Sequence, residues 1–285
     1  MAGTYNELYL NARRRLRALG VEADQLEARE LICFAAEKNR EEFLRDRNLY
    51  ASSEIEERME WLLSRREAGE PIPYLIGEWE FYGMNLDVDC GVLIPRPDTE
   101  VLAERAIALA AEVPESCRVL DLCAGSGCVG LAVAKHVPGC RVLLADNSDD
   151  ALRVARRNIK KTGLRAQVGC AKADAMSLPS ERIGTFDVIA SNPPYIRRSE
   201  LPNLDVSVRE YEPMTALDGG EDGLDFYRAI TSDWRSVLRP GGRLLFEVGY
   251  DQADEVIRLM ERRGFREIRT TRDGQGIRRV VEGHL

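Results

Sequence analysis

Through residues 1–72 the apolar positions return at helical spacing. Leu8, Ala12, Leu16 and Leu19 make one stripe and Leu26, Leu31, Ile32 and Ala35 a second, the period of helices that bury one face. Asn39 with Glu42, and Ser53 with Glu56, have the spacing of capping boxes and predict two further helix starts. Pro71 and Pro73 end this pattern, and over residues 79–88 aromatic and branched residues flank Gly83 as in a hairpin. From Asp98 onward short apolar runs at 118–122, 141–145, 186–191 and 243–248 alternate with amphipathic stretches. That alternation predicts an α/β domain whose parallel sheet is covered on both faces. Two last strand-like runs, 266–272 and 277–282, flank Asp273-Gly-Gln-Gly276 and predict a closing hairpin that adds an antiparallel edge. The organisation expected is a helical domain over 1–72, a β-hairpin linker over 73–97 and an α/β domain over 98–285.

Composition narrows the function classes. With 285 residues, 44% apolar and 31% charged, the chain can fill one large domain and a small one. No apolar run is long enough to span a bilayer, and residues 1–10 are polar where a secretory signal is apolar, so the expected location is the cytoplasm. The seven cysteines are odd in number and form no C-x-x-C pair, which predicts reduced thiols. His136 and His284 are the only histidines, and neither stands in a metal-ligand or hydrolase-triad context. A net charge of −8 argues against nonspecific nucleic-acid binding, and the basic stretches at 13–17 and 262–279 read as solvated faces.

The run Val119-Leu-Asp-Leu-Cys-Ala-Gly-Ser-Gly-Cys-Val-Gly130 passes from strand to glycine-rich turn to helix, the place where an open α/β sheet binds a ligand. Its glycines let backbone approach closely, and the following helix directs free N–H groups at whatever binds. Asp146 ends the next strand, where a carboxylate can accept from both ribose hydroxyls, so an adenosine-containing ligand is implied. Gly125-x-Gly127-x-x-Gly130 also fits a nicotinamide dinucleotide fingerprint. Asp121, two residues before the turn, tilts the choice: a carboxylate there suits a cationic amino-acid moiety, as in S-adenosylmethionine, and repels a pyrophosphate. Lys172-Ala-Asp174 ends the third strand, where Asp174 can reach an adenine amino group.

Asn192-Pro-Pro-Tyr195 follows directly on the strand 186–191, at the carboxyl end of the sheet beside the proposed cofactor. Pro193 and Pro194 fix the backbone and lack N–H donors, leaving the Pro193 carbonyl to accept from a ligand. Asn192 adds a side-chain carbonyl, and Tyr195 a flat face for stacking. Two acceptors can hold both hydrogens of a planar NH2 group while its lone pair faces a sulfonium methyl. An amide nitrogen is a poor nucleophile, so positioning it in line is the main help a protein can give.

With these residues in view the chain resembles the protein-glutamine methyltransferases that modify the Gly-Gly-Gln glutamine of class-1 peptide-chain release factors. The likeness covers nearly the whole length and rests on Pro73-Tyr-Leu-Ile-Gly-Glu-Trp-Glu-Phe-Tyr82, Leu93-Ile-Pro-Arg-Pro-Asp-Thr-Glu100, the glycine turn, Asn192-Pro-Pro-Tyr195 and Tyr211-Glu-Pro-Met-Thr-Ala-Leu217. Asn-Pro-Pro-Tyr alone is shared with adenine and cytosine amino-methyltransferases, so residues 93–100 are the more specific sign. The resemblance implies a Rossmann-like seven-stranded class I methyltransferase domain with a helical N-terminal domain that chooses the protein substrate. It implies S-adenosylmethionine as cofactor, leaving as S-adenosylhomocysteine, held by Cys123, Ala124, Gly125, Ser126, Gly127, Asp146, Asp174, Ala175 and Asn192. The target glutamine would be held by Asn192, Pro193, Pro194 and Tyr195, with Asn192, Pro193 and Tyr195 as the catalytic set and Arg96 to Glu100 near the cofactor's amino-acid end. Read without the resemblance, Asp98 or Thr99 is simply a helix cap. Cys123 stands where the family usually has glycine, and Ala175 where an aromatic often packs on adenine. Rival readings are a glutamine methyltransferase of a large-subunit ribosomal protein, a nucleic-acid adenine methyltransferase, and a cofactor-binding module without catalysis; no nucleic-acid target, membrane or metal is expected.

Overall fold

The computed structural model describes residues 3–113 and 116–285. The chain forms two compact units, Met1–Gly77 with Val206–Tyr211, and Glu78–Asp205 with Glu212–Leu285. The segment 73–97, expected between domains, is thus divided between them.

The first unit is helical: α1 (Tyr5–Ala18), α2 (Asp24–Ala36), α3 (Arg40–Asp46), α4 (Ser53–Glu67) and α5 (Ile72–Ile76). The Asn39 and Glu42 side chains form the reciprocal box that starts α3, and Thr4 with Glu7 forms another at α1. At α4 the cap is Ser52, one residue before the expected Ser53, because Ser52 is the last extended residue and its hydroxyl accepts from Ile55 N–H. Ala12, Leu16, Leu31, Ile32, Ala35, Met59, Leu62 and Leu63 fill the core. Leu19 and Leu26 depart from their stripes and are exposed, Leu19 because it is already the C-cap of α1. The basic run of α1 is ion-paired: Arg13 and Arg17 to the buried Asp24, Arg15 to Glu60 and Glu67. Residues 206–211 join this unit because Tyr211 donates to the Ala68 carbonyl and Val206 covers Gly69.

The second unit opens with the hairpin of β1 (Glu78–Phe81) and β2 (Met84–Asp87). Its turn residues Tyr82 and Gly83 have φ 48° and 68°, the pair of positive angles that suits a two-residue hairpin. Phe81, Met84 and Leu86 enter a core shared with α6 (Pro97–Glu112) and α7 (Cys128–His136). The remaining elements are β3 (Arg118–Leu122), β4 (Arg141–Asp146), α8 (Asp149–Thr162), β5 (Val168–Lys172), β6 (Phe186–Ser191), α9 (Asp225–Asp233), β7 (Leu238–Glu247), α10 (Ala253–Arg262), β8 (Arg266–Arg272) and β9 (Arg278–His284).

Among the described residues the main sheet has seven strands in the order β5-β4-β3-β6-β7-β9-β8. The pairs from β5 to β7 are parallel, and β9 is antiparallel to both β7 and β8. The closing hairpin thus adds antiparallel pairing at this edge of the sheet. The apolar β9, with Val280 and Val281 fully buried, takes the inner position, and the polar β8 becomes the edge. Strand β7 also begins five residues before the expected Arg243, running through Pro240-Gly-Gly242 with a register shift opposite Phe186 and Val188. Alternation divides the core: Val119, Val142 and Val188 face α6, α7 and α8, while Leu120, Ile189, Leu244 and Phe246 face α9 and α10.

Candidate active site

Strand order reverses at β3, whose neighbours are β4 and β6, and a cleft opens at the carboxyl ends of strands at such a point. Register pairs Leu122 with both Ala145 and Ser191, and Ser191 with Phe246. The next residue of each strand is therefore in one row: Asp146, Cys123, Asn192, Glu247.

The turn after β3 holds left-handed backbone at Cys123, Gly125 and Gly127, with φ 63°, 54° and 82°. At Cys123, which carries a Cβ, this costs about 1–2 kcal/mol, and burial pushes its thiol above the ordinary range, so it is neutral at pH 7. Ala124 N–H donates to the Ala145 carbonyl, Gly127 N–H to the Ala124 carbonyl, and Gly125 N–H to Asp146 Oδ2 at 2.8 Å. A Cβ at Gly125 would meet nothing within 4 Å, so the turn is open there, whereas one at Gly130 would lie 2.3 Å from Leu144 Cδ2. The last glycine of the fingerprint thus serves close helix–sheet packing. Ala124 and Ser126 are buried, and the Ser126 carbonyl accepts from Asn158 Nδ2, which also pairs with Asp87 and so ties the hairpin to the turn.

Asp146 is half-buried, and its Oδ1 accepts Ser148 N–H at 2.9 Å. Each carboxylate oxygen has a second acceptor position, so two remain for two hydroxyls. Burial pushes this carboxyl up, against the backbone N–H groups that hold it. Asp174 caps its own turn, accepting from Met176 N–H and the Ser177 hydroxyl, and Ala175 is buried with its carbonyl accepting from Trp234 Nε1. Asp121 does not face the turn's open side as expected. It is buried, its Oδ2 accepts Gly130 N–H of α7 at 2.8 Å, and burial pushes it up to about 8.

Asn192 Nδ2 donates to Thr99 Oγ1 at 3.2 Å, which leaves its Oδ1 as the free end of the amide. Pro193 and Pro194 are buried, and the Pro193 carbonyl has no hydrogen-bond partner among the described residues. The Tyr195 ring is half-buried against the α9–α10 core, and its hydroxyl turns inward to Glu247 Oε1 at 3.4 Å. The segment is clamped from behind. Gln252 Nε2 donates to the Tyr195 carbonyl at 2.9 Å, and Gly219 and Gly223 touch its backbone so closely that a Cβ would lie 2.6 Å from Tyr195 Cα and 2.4 Å from its carbonyl oxygen.

Residues 96–100 also differ from the cap reading. Arg96 occupies the N-cap of α6 without a side-chain cap bond and pairs with the buried Glu212, which also accepts Ile94 N–H. Asp98 pairs with Arg279, and Glu100 accepts Tyr82 N–H.

Comparison with known proteins decides the family. The release factor glutamine methyltransferase of Caulobacter vibrioides is 36% identical over 99% of this chain and 97% of its own length. That of Clostridium acetobutylicum is 45% identical over 77% of this chain and 76% of its own. The chain belongs to the release factor glutamine methyltransferases. The family models described as the PrmC N-terminal domain and the methyltransferase small domain match residues 7–77 and 99–206. A methyltransferase from Pyrococcus furiosus, 18% identical, shares the fold with a TM-score of 0.53 over 72% of this chain and 90% of that one.

As a member of this family the chain is an enzyme with a class I methyltransferase fold, and its site contains residues that motif reading passed over. Thr99 belongs to the stretch 96–100 that the resemblance puts near the cofactor's amino-acid end, but its bond to Asn192 was not expected. Glu247 and Gln252 follow no motif used above, although an acid inside the apolar run 243–248 is itself a signal, since burying an unpaired carboxylate is costly.

Proposed function

We propose that this enzyme transfers the methyl group of S-adenosylmethionine to the side-chain amide nitrogen of the Gly-Gly-Gln glutamine of a class-1 release factor. The observation that carries the reading is the Asn192 amide, held by Thr99 through its nitrogen, followed in the chain by a Pro193 carbonyl with no partner among the described residues. Two fixed acceptors at a strand end suit the two hydrogens of a primary amide, and an acceptor grows in strength as positive charge develops on that nitrogen. The bound cofactor supplies an electrophilic methyl on a sulfonium.

The residues present fit such a cofactor. Gly125 leaves open space above the turn, Asp146 keeps two acceptor positions for ribose hydroxyls, and Asp174 stands at the end of the adjacent strand. Ala124, Ser126 and Ala175, being buried, would contribute through backbone, and Cys123 through its strained turn. Asn192 and Pro193 orient the amide, while Pro194 and Tyr195 keep that segment rigid. The helical unit is the part we assign to recognition of the release factor; its exposed Leu44, Leu49, Tyr50 and Trp61 supply the apolar and aromatic surface that protein interfaces use.

The test is incubation of the purified chain with S-adenosylmethionine and a recombinant class-1 release factor, followed by tandem mass spectrometry. One methyl on the Gly-Gly-Gln glutamine is expected, and Asn192→Ala should abolish it while cofactor affinity stays within about fivefold. Methylation of a ribosomal protein or of DNA instead, with none on the release factor, would move the function to that substrate.

A further inference from the structure

We propose that the cavity at the amino ends of β5, β4, β3 and β6, neighbours in the main sheet, is a binding site for a phosphorylated nucleoside. It shares no residue with the transfer site and does not depend on the methyl-transfer reading.

The sequence brings four arginines to this place. Arg118 and Arg141 open β3 and β4 and are register partners. Arg165 and Arg182 stand in the connections before β5 and β6, each within a hydrogen-bonded turn: Gln167 N–H donates to the Leu164 carbonyl, and Ile183 N–H to the Ser180 carbonyl. All four line one cavity of about 490 Å³, and among the described residues no acid lines it. Asp187, at the start of β6, is spent on Arg239 and on the main-chain N–H of Arg118. None of the four guanidinium groups has an ion-pair or hydrogen-bond partner among the described residues. Like charges gathered round one cavity repel one another, and a polyanion between them turns that repulsion into attraction. Arg118 is held with its guanidinium over the Phe186 ring, 5.4 Å from the centroid, so its charge is presented with little further loss of freedom.

The remaining lining says what else the ligand carries. Leu143, Ile183 and Phe186 make an apolar wall. Val142 packs on the α8 side, so by alternation Leu143 lies on the other face of β4. Gly169, in register with Leu143, leaves that wall open, because an added Cβ would meet only Leu143 Cδ1 at 3.8 Å. Gln167 Oε1 is buried and has no partner among the described residues, an acceptor that an N–H or O–H of a ligand would satisfy. Phosphates for the arginines, a flat apolar body for the wall and a donor for Gln167 are together the parts of a nucleotide. The volume is that of a small-molecule site, whereas a polynucleotide follows a continuing basic stripe. Arg141 and Asp146 are the first and last residues of β4, roughly 16 Å apart at the rise of a strand. A nucleotide here and a cofactor at the turn can therefore be bound together.

The experiment is calorimetric titration of the full chain with the common ribonucleoside triphosphates in turn, the cofactor site being filled with S-adenosylhomocysteine when the nucleotide is ATP. At least one should bind, with an affinity that weakens as salt is raised and with a raised melting midpoint. Arg141→Gln and Arg165→Gln should each weaken it about tenfold. Gly169→Leu, which keeps every charge and fills the wall, should weaken it too, while Asp146→Ala should leave it within about twofold. The free nucleoside and inorganic triphosphate should each bind more weakly than the nucleotide. Absence of binding by both calorimetry and thermal shift, or arginine variants that bind as wild type does, would overturn the proposal. Inorganic triphosphate as tight as any nucleotide, or an RNA oligonucleotide preferred to all of them, would overturn it in favour of a bare polyphosphate or a polynucleotide. Failure of S-adenosylhomocysteine to bind would count against the functional reading alone, since the GTP, CTP and UTP titrations still decide the nucleotide site. Melts of the unliganded variants identify any that has lost its fold, and the arginine variants, altered at the cavity rim, then carry the test.

Discussion

Substituting Gly223 by alanine puts a number on how rigidly the transfer segment must be held. The new Cβ would lie 2.4 Å from the Tyr195 carbonyl oxygen and 2.6 Å from Gln252 Nε2, at a φ of +75°. Ordinary van der Waals contact begins at 3.4 Å, so something must give by roughly 0.8–1 Å. The Gln252 amide can retreat only by releasing the Tyr195 carbonyl it binds, and that carbonyl is main chain. The displacement therefore passes into residues 192–195. A misplacement of about 1 Å at reacting groups costs on the order of 100-fold in rate, and the left-handed alanine adds about 1–2 kcal/mol of strain. The cofactor turn hangs on β3 and β4, away from this contact, so its affinity should hardly change. Gly223→Ala should thus cut single-turnover transfer by about 100-fold, with calorimetric cofactor Kd within threefold and a melting midpoint lowered by only a few degrees. Gly274→Ala, where a Cβ meets nothing within 4 Å, is the control. A Gly223→Ala enzyme that turns over within threefold of wild type would refute the claim that the clamp sets the position of Tyr195 and Asn192.

Asp146→Ala removes the acceptor of Gly125 N–H and both positions proposed for ribose hydroxyls; cofactor Kd should rise by about 100-fold, and an unchanged value by calorimetry would remove Asp146 from the site. Asp121 predicts a pH effect on the ligand-free protein. Its folded pKa, pushed up by burial to about 8, lies above the unfolded value near 4, so its contribution to stability is complete below about pH 4 and is lost as pH rises through about 8. The melting midpoint should fall between pH 5 and pH 8.5, with Glu247 acting in the same direction, and Asp121→Asn, which still accepts Gly130 N–H, should flatten the fall. An Asn variant with the wild-type slope would show that Asp121 is not the group responsible.

What the chain announces locally, it announces well. The strand, turn and helix of 118–136 and the proline pair after β6 are set by near neighbours, through alternation, positive-φ glycines and fixed φ angles, and they lie at the expected end of the sheet. Features decided by contacts across the sheet were less legible. Which of β8 and β9 pairs with β7 is one such feature, and it follows from the burial Val280 and Val281 gain beside β7. Asp121 looked like a ligand because its spacing from the turn was visible, while its bond to Gly130, nine residues on, depends on how α7 packs. Glu247 and Gln252 act on residues more than 50 positions away, a distance at which periodicity carries no information.

A long-range contact of the same kind bears on why residues 93–100 carry the more specific likeness to the family. Glu212 accepts from Ile94 N–H and Arg96, joining residues 93–100 to residues 211–217 across 118 positions. The Glu212 end of that joint is buried; burial pushes its carboxyl up, and the Arg96 charge opposes that rise. It fixes the first turn of α6. The third residue of that helix is Thr99, whose oxygen orients Asn192. A lysine at Arg96 would keep the charge but lose the planar fork, and the start of α6 would gain freedom at the point where Thr99 must sit within hydrogen-bond reach of Asn192. Residues 93–100 are therefore constrained by the place Thr99 must hold against Asn192, which is why the Asn-Pro-Pro-Tyr segment alone, set on another frame, can serve a different amino group.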